Sequence, residues 1–209
     1  MSTDTAHLET AHGAAPGGGG HLTSTGVTNE KMAMWVFLGS ECLLFGALIS
    51  TYLLYHDRAV TGPKPSEIYD IPFTSVSSFV LLMSSLTMVL AVAAMSRGDQ
   101  RRMRVWLVAT AFLGMVFLSG QVYEFTSFVR EGMGLTTNVA SSSFFVLTGF
   151  HGAHVTLGIV MLLSMTGLSL GGRIKERSET VEIAGLYWHF VDVVWIVIFT
   201  VVYLLAPGQ

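Results

Sequence analysis

Charge is the scarcest commodity in this sequence: Asp, Glu, Lys and Arg make up 12% of its 209 residues, against about a quarter in an ordinary soluble domain. Cysteine is almost absent too. Cys42 stands alone, which excludes an intrachain disulfide and the usual thiolate zinc patterns; it is expected to be a small packing residue. The net charge of −3 and the lack of a basic aromatic patch argue against nucleic-acid binding. The first 31 residues hold no apolar h-region, so no cleavable signal peptide is expected. With the run Gly17 to Gly20 they read as a disordered, glycine-rich tail. His7, His12 and His21 in that tail are expected to be solvated rather than to hold a metal. No internal repeat is visible, which disfavours a transporter built from inverted halves.

What is present is apolar. Hydrophobic residues reach 51%, and the mean hydropathy is +0.59. They fall in blocks of the length that crosses a bilayer, about 20 residues for a core of roughly 30 Å. Five such blocks stand out: 32–55, 73–95, 105–128, 141–170 and 183–205. None has a proline in its interior, which counts against the broken helices of a transporter. The expected fold is an all-α integral membrane bundle of five transmembrane helices over residues 32–205, preceded by the tail 1–31.

Lysine and arginine set the orientation. The tail side and the second and fourth loops hold eight (Lys31; Arg97, Arg101, Arg102 and Arg104; Arg173, Lys175 and Arg177), and the opposite side holds three, Arg58, Lys64 and Arg130. The N-terminus is therefore expected in the cytoplasm and the C-terminus outside. Arg101, Arg102 and Arg104 admit lipid-phosphate binding, but the orientation rule explains them without it. "GPKPSE" at 62–67 reads as an external turn-rich link, "SRGDQRR" at 96–102 as a tight cytoplasmic one, and the end of "REGMGLTTN" as a cap for the fourth helix. Trp35, Trp106, Tyr187 and Trp188 on one side, and Tyr52, Tyr55, Tyr123 and Tyr203 on the other, are expected as interfacial anchors.

Ionisable residues inside spans are costly and mark function or interior packing. Here they are Glu41, Glu124, His151, His154, His189 and Asp192. At about 1.5 Å rise per residue, all but Glu124 fall roughly 9 to 15 Å from the cytoplasmic side. Glu124 lies near the outer face. His151 and His154 share one helix face at i, i+3, as do His189 and Asp192. Small neighbours (Gly39, Ser40 and Gly46 on the first helix; Gly149, Gly152, Ala153 and Gly158 on the fourth) are expected to let helices approach. Three readings stay open on the residues alone: hydrogen bonds that tie helices, a proton relay, or a metal or haem site. Glu-x-x-His pairs are absent from the spans, and both histidines of "HGAH" lie on one face, so the metal reading is the least favoured.

The residues also carry a resemblance. "LYWHFVDVVWIVIFTVVYLLAPG" (186–208) and "FFVLTGFHGAHVTLG" (144–158) resemble the last two helices of subunit III of the haem–copper respiratory oxidases. "GQVYEF" and "WVFLGSECLLFGALISTYL" fall in matching order. The resemblance implies a subunit without redox cofactors, docked on a catalytic subunit I that carries the haems and copper, with subunits II and IV nearby. The complex would reduce oxygen to water and pump protons in a bacterial plasma membrane. It also implies links to proton uptake, phospholipid and sustained activity, with acidic or histidine roles at Glu41, Glu124, His151, His154, His189 and Asp192. The histidines would then tie helices and hold no metal. Longer members have two further N-terminal helices; here a glycine-rich tail stands in their place. The short form occurs with cytochrome c and with quinol as donor, and cytochrome c is expected here.

Overall fold

The structure, a computed structural model, describes residues 28–56, 70–171 and 178–205. The tail histidines, the 62–67 link and the basic residues Arg58, Lys64, Arg173, Lys175 and Arg177 lie outside the described residues. Among those described, five helices are long and apolar enough to cross a membrane. They are α1 (Asn29–Tyr55), α2 (Ile71–Ser96), α3 (Gln100–Arg130), α4 (Val139–Leu170) and α5 (Ser178–Phe199), the last continuing into a π-helical turn, Thr200–Leu204. The helices overrun the apolar blocks: α1 starts three residues before Met32 and α5 five before Ile183. Polar residues complete those turns beyond the hydrocarbon, where hydropathy carries no signal.

Local chemistry sets the ends. Asp70, Asp99 and Asn138 each accept a bond from the backbone N–H three residues on, at 3.2, 3.0 and 2.7 Å, which satisfies otherwise orphaned donors of a first helical turn. Pro72 sits in the first turn of α2, where a missing N–H costs nothing. Gly98, at φ +76°, reverses the chain between α2 and α3 in a conformation that a side chain would disfavour.

The helices pack as a bundle with α5 at its centre, touching α1, α2 and α4, while α3 bridges α2 and α4. Half of the most apolar stretch of α5 is buried, against 11% of that of α1. α1 lies on the outside, against α4 and α5. Apolar residues such as Val36, Leu43 and Val76 point away from the bundle, as expected where lipid replaces water.

Three expectations about packing need correction. Cys42 is exposed on the outside of α1, not packed. Gly152 and Gly158 do meet neighbouring helices, but Gly39, Gly46 and Gly149 have nothing within 4 Å of a Cβ position. Tyr52, Tyr187, Trp188 and Tyr203 are buried core residues rather than interfacial anchors: depth along a span is legible in sequence, but angular position is not. Trp35 and Tyr123 remain exposed.

Candidate functional site

Glu41 and His154 meet where α1 crosses α4. His154 Nε2 lies 3.1 Å from Glu41 Oε2. On the other side of the ring, Nδ1 lies 2.7 Å from the Phe150 carbonyl. A carbonyl only accepts, so Nδ1 carries a hydrogen. The Nε2–Oε2 contact then holds one proton, as imidazolium with carboxylate or as imidazole with carboxylic acid. The Tyr187 hydroxyl donates to the His154 carbonyl at 3.0 Å, bringing α5 onto the same turn. Phe45 stands edge-on to the His154 ring, with centroids 5.1 Å apart.

His151, one turn away, differs in kind. It is fully buried, stacked on Trp195 at 4.8 Å and flanked edge-on by Phe117 and Phe45. Neither ring nitrogen has a hydrogen-bond partner among the described residues. The expectation that hydrogen bonds hold both histidines is therefore corrected: they hold His154, and aromatic faces hold His151. Spacing at i, i+3 puts two residues on one side of a helix, but not in one environment.

His189 does not join Glu41. Its Nδ1 is 2.6 Å from Ser85 Oγ on α2, so α5 divides the expected cluster into an α1–α4 part and an α2–α5 part. Asp192 is buried. Its oxygens have no partner of hydrogen-bond geometry among the described residues, although Ser85 lies beside it. His189 also borders a groove of about 560 Å³ between α1, α2 and α5, whose walls include Lys31 and Glu182. Those two pair at 2.5 Å across the helix starts. Glu124 is far from all of these. It is buried at the other end, bonded to the Thr74 hydroxyl.

The remaining polar contacts tie helices. Trp188 Nε1 donates to Ser84 Oγ at 3.0 Å and Trp195 Nε1 to Ser78 Oγ at 2.9 Å, joining α5 to α2. Thr87 and Thr110 meet at 2.8 Å between α2 and α3. Gln121 Nε2 donates to the Thr148 carbonyl at 2.8 Å between α3 and α4. None of these partners is ionisable, so none carries the cost that marks a charged group within a span. A signal does exist: α2 carries hydroxyls at Thr74, Ser78, Ser84, Ser85 and Thr87 within a mostly apolar span, and hydroxyls in spans bond across helices.

The arrangement can hold protons and fix helices. Among the described residues, no group of three or more His, Cys, Asp or Glu is placed to hold a metal ion.

Sequence comparison decides the family. The profile of cytochrome c oxidase subunit III matches residues 17–206. The chain belongs to that family. "Probable quinol oxidase subunit 3" of Staphylococcus saprophyticus is 42% identical over 85% of this chain and 89% of its own. "Cytochrome c oxidase subunit 3" of Bacillus sp. strain PS3 is 40% identical over 85% and 86%. "Quinol oxidase subunit 3" of Bacillus subtilis is 39% identical over 85% and 87%. The chain is subunit III of a haem–copper respiratory oxidase, a multi-pass membrane protein that works within a complex of several subunits. In subunit III terms, the Glu41–His154 pair joins the "GSECLLFG" segment to the "GFHGAH" segment, and the Trp188 and Trp195 bonds anchor the "YWHFVDVVW" segment to α2.

Proposed function

We propose that this chain carries no haem or copper of its own and serves the proton-pumping oxidase by supporting proton uptake into subunit I and keeping that subunit stable through turnover. The haems and copper belong to the partner subunits, which supply the redox chemistry. Subunit I is the docking partner, with subunits II and IV in the same complex, in a bacterial plasma membrane with the N-terminus cytoplasmic. The observation that carries the reading is the polar layer itself. Within it Glu41 bonds to His154 between α1 and α4, and His189 to Ser85 between α5 and α2.

The electron donor is set by the partner subunits. We propose cytochrome c. Quinol is the second reading, favoured by the relative at 42% identity, whose name carries it. The test is to purify the complex through a tag on this chain, record its haem spectrum, and assay oxygen uptake with reduced cytochrome c and with quinol. Co-purification of a haem–copper subunit supports the role, and the donor that sustains uptake decides between the readings. Recovery of the chain without a haem protein overturns both.

A further inference from the structure

The α2–α3 turn has a chemistry that the polar layer does not use. Between residues 96 and 106 the chain carries Arg97, Arg101, Arg102 and Arg104 against a single carboxylate, Asp99. That carboxylate is committed: one oxygen caps α3 through the Arg102 N–H at 3.0 Å, and the other pairs with Arg102 Nε at 3.2 Å. Arg104 Nε is turned onto the Gln100 carbonyl at 3.2 Å. Arg97 and Arg101 have no acceptor among the described residues, and both are exposed. They border a pocket of about 680 Å³ that continues down between the helices to Trp106, Val105 and Leu90.

The pocket is graded in depth. Val105 lies five residues into α3 from Gln100, and Leu90 lies six before the end of α2. At about 1.5 Å per residue the walls therefore change from cationic to apolar over roughly 8 to 9 Å. A free anion would need only the cationic mouth. A phospholipid has its phosphate, glycerol and first acyl carbons arranged over such a distance, and guanidinium suits phosphate geometry through paired donors.

We propose that the α2–α3 turn binds an anionic phospholipid, with Arg97 and Arg101 on the phosphate and Val105 and Leu90 against the upper acyl chain. Basic pockets between transmembrane helices are suited to anionic headgroups. The site lies apart from the polar layer, and the inference goes beyond the oxidase role. Its readout is bound lipid, so its failure leaves that role untouched.

The test uses the purified complex, stripped of lipid in detergent and titrated with phosphatidylglycerol, with phosphatidylcholine, and with inorganic phosphate alone, scoring adducts on this chain by native mass spectrometry. Phosphatidylglycerol should bind in preference to phosphatidylcholine. Arg97→Gln with Arg101→Gln should weaken it about 25-fold, at about fivefold per arginine. Val105→Trp changes an exposed position, fills the apolar part and leaves the arginines in place, so it should also lower binding and keeps the test open if the arginine variant fails to assemble. Equal binding of the two lipids, unchanged phosphatidylglycerol binding in either variant, or an arginine-dependent response to inorganic phosphate alone overturns the proposal.

Discussion

Trp188 lies so close to Gly158 that a Cβ at residue 158 would stand 2.9 Å from ring carbons Cε3 and Cζ3. The far edge of the ring meets Gly114 in the same way, at 2.7 Å from Cη2. The indole is thus wedged between α4 and α3 while its N–H holds Ser84 on α2. One methyl group at either glycine should push the ring out of place, and overpacking of this kind costs about 1–3 kcal/mol. Gly158→Ala and Gly114→Ala should each lower the thermal stability of the purified subunit, while Gly39→Ala, in open space, should leave it unchanged. Equal melting of all three would show that Trp188 does not set the helix spacing.

The Glu41–His154 bond predicts a mild defect. Intramembrane polar contacts average about 0.6 kcal/mol, so losing one loosens a bundle without unfolding it. Glu41→Ala should keep the initial oxygen-reduction rate within about a factor of two, or roughly 0.4 kcal/mol in barrier. The damage should appear as weaker retention of the subunit and faster decay of activity over sustained turnover. His154→Ala should match it, and the double variant should be no worse than either, because both remove the same bond. Immediate near-total loss of rate with full subunit stoichiometry would instead place Glu41 on an obligatory proton route.

His151 predicts the opposite sign. A buried polar group without a partner carries a desolvation cost of about 1–3 kcal/mol. His151→Phe keeps a ring between Phe117 and Trp195 and removes the two unpaired nitrogens, so it should hold or raise the melting temperature of the complex. A marked fall would reveal a partner for the imidazole, such as an ordered water.

Orientation is checked by labelling. With Cys42→Ser as background, Ser96→Cys should react only with a reagent applied from the cytoplasm, and Thr136→Cys only from outside. Reaction of both from one side would be incompatible with α3 crossing the membrane.

Much of this was legible in the residues, and the gaps have physical causes. The five spans follow from apolar block length alone. The Glu41–His154 contact follows from matched depth on antiparallel helices, because depth needs only residue counting. Which way a residue faces is a separate coordinate. Tyr52, Tyr187, Trp188 and Tyr203 sit at the right depth for a lipid interface yet turn inward, and in a chain apolar on every side no amphipathic pattern marks the turn. The same blindness grouped His189 with Glu41, although Ser85 of α2 takes its bond. Hydroxyls are cheap to carry through a span, so the five that tie α2 to its neighbours, on Thr74, Ser78, Ser84, Ser85 and Thr87, cost too little to stand out.

The outlying position of α1 has a consequence in time. α2 and α3 are consecutive and pack together across a tight turn, so they can pair while the chain is still being made. α1 has no such neighbour. Its links reach His154, 113 residues ahead, and Glu182, 151 residues ahead of Lys31. At about 5–20 residues per second of synthesis, the Glu41 partner emerges on the order of ten seconds later. For that interval α1 carries the Glu41 carboxyl without the His154 imidazole to meet it. Of the five described helices, α1 is made before the others yet has its partners on α4 and α5, so its docking waits until those helices have been made.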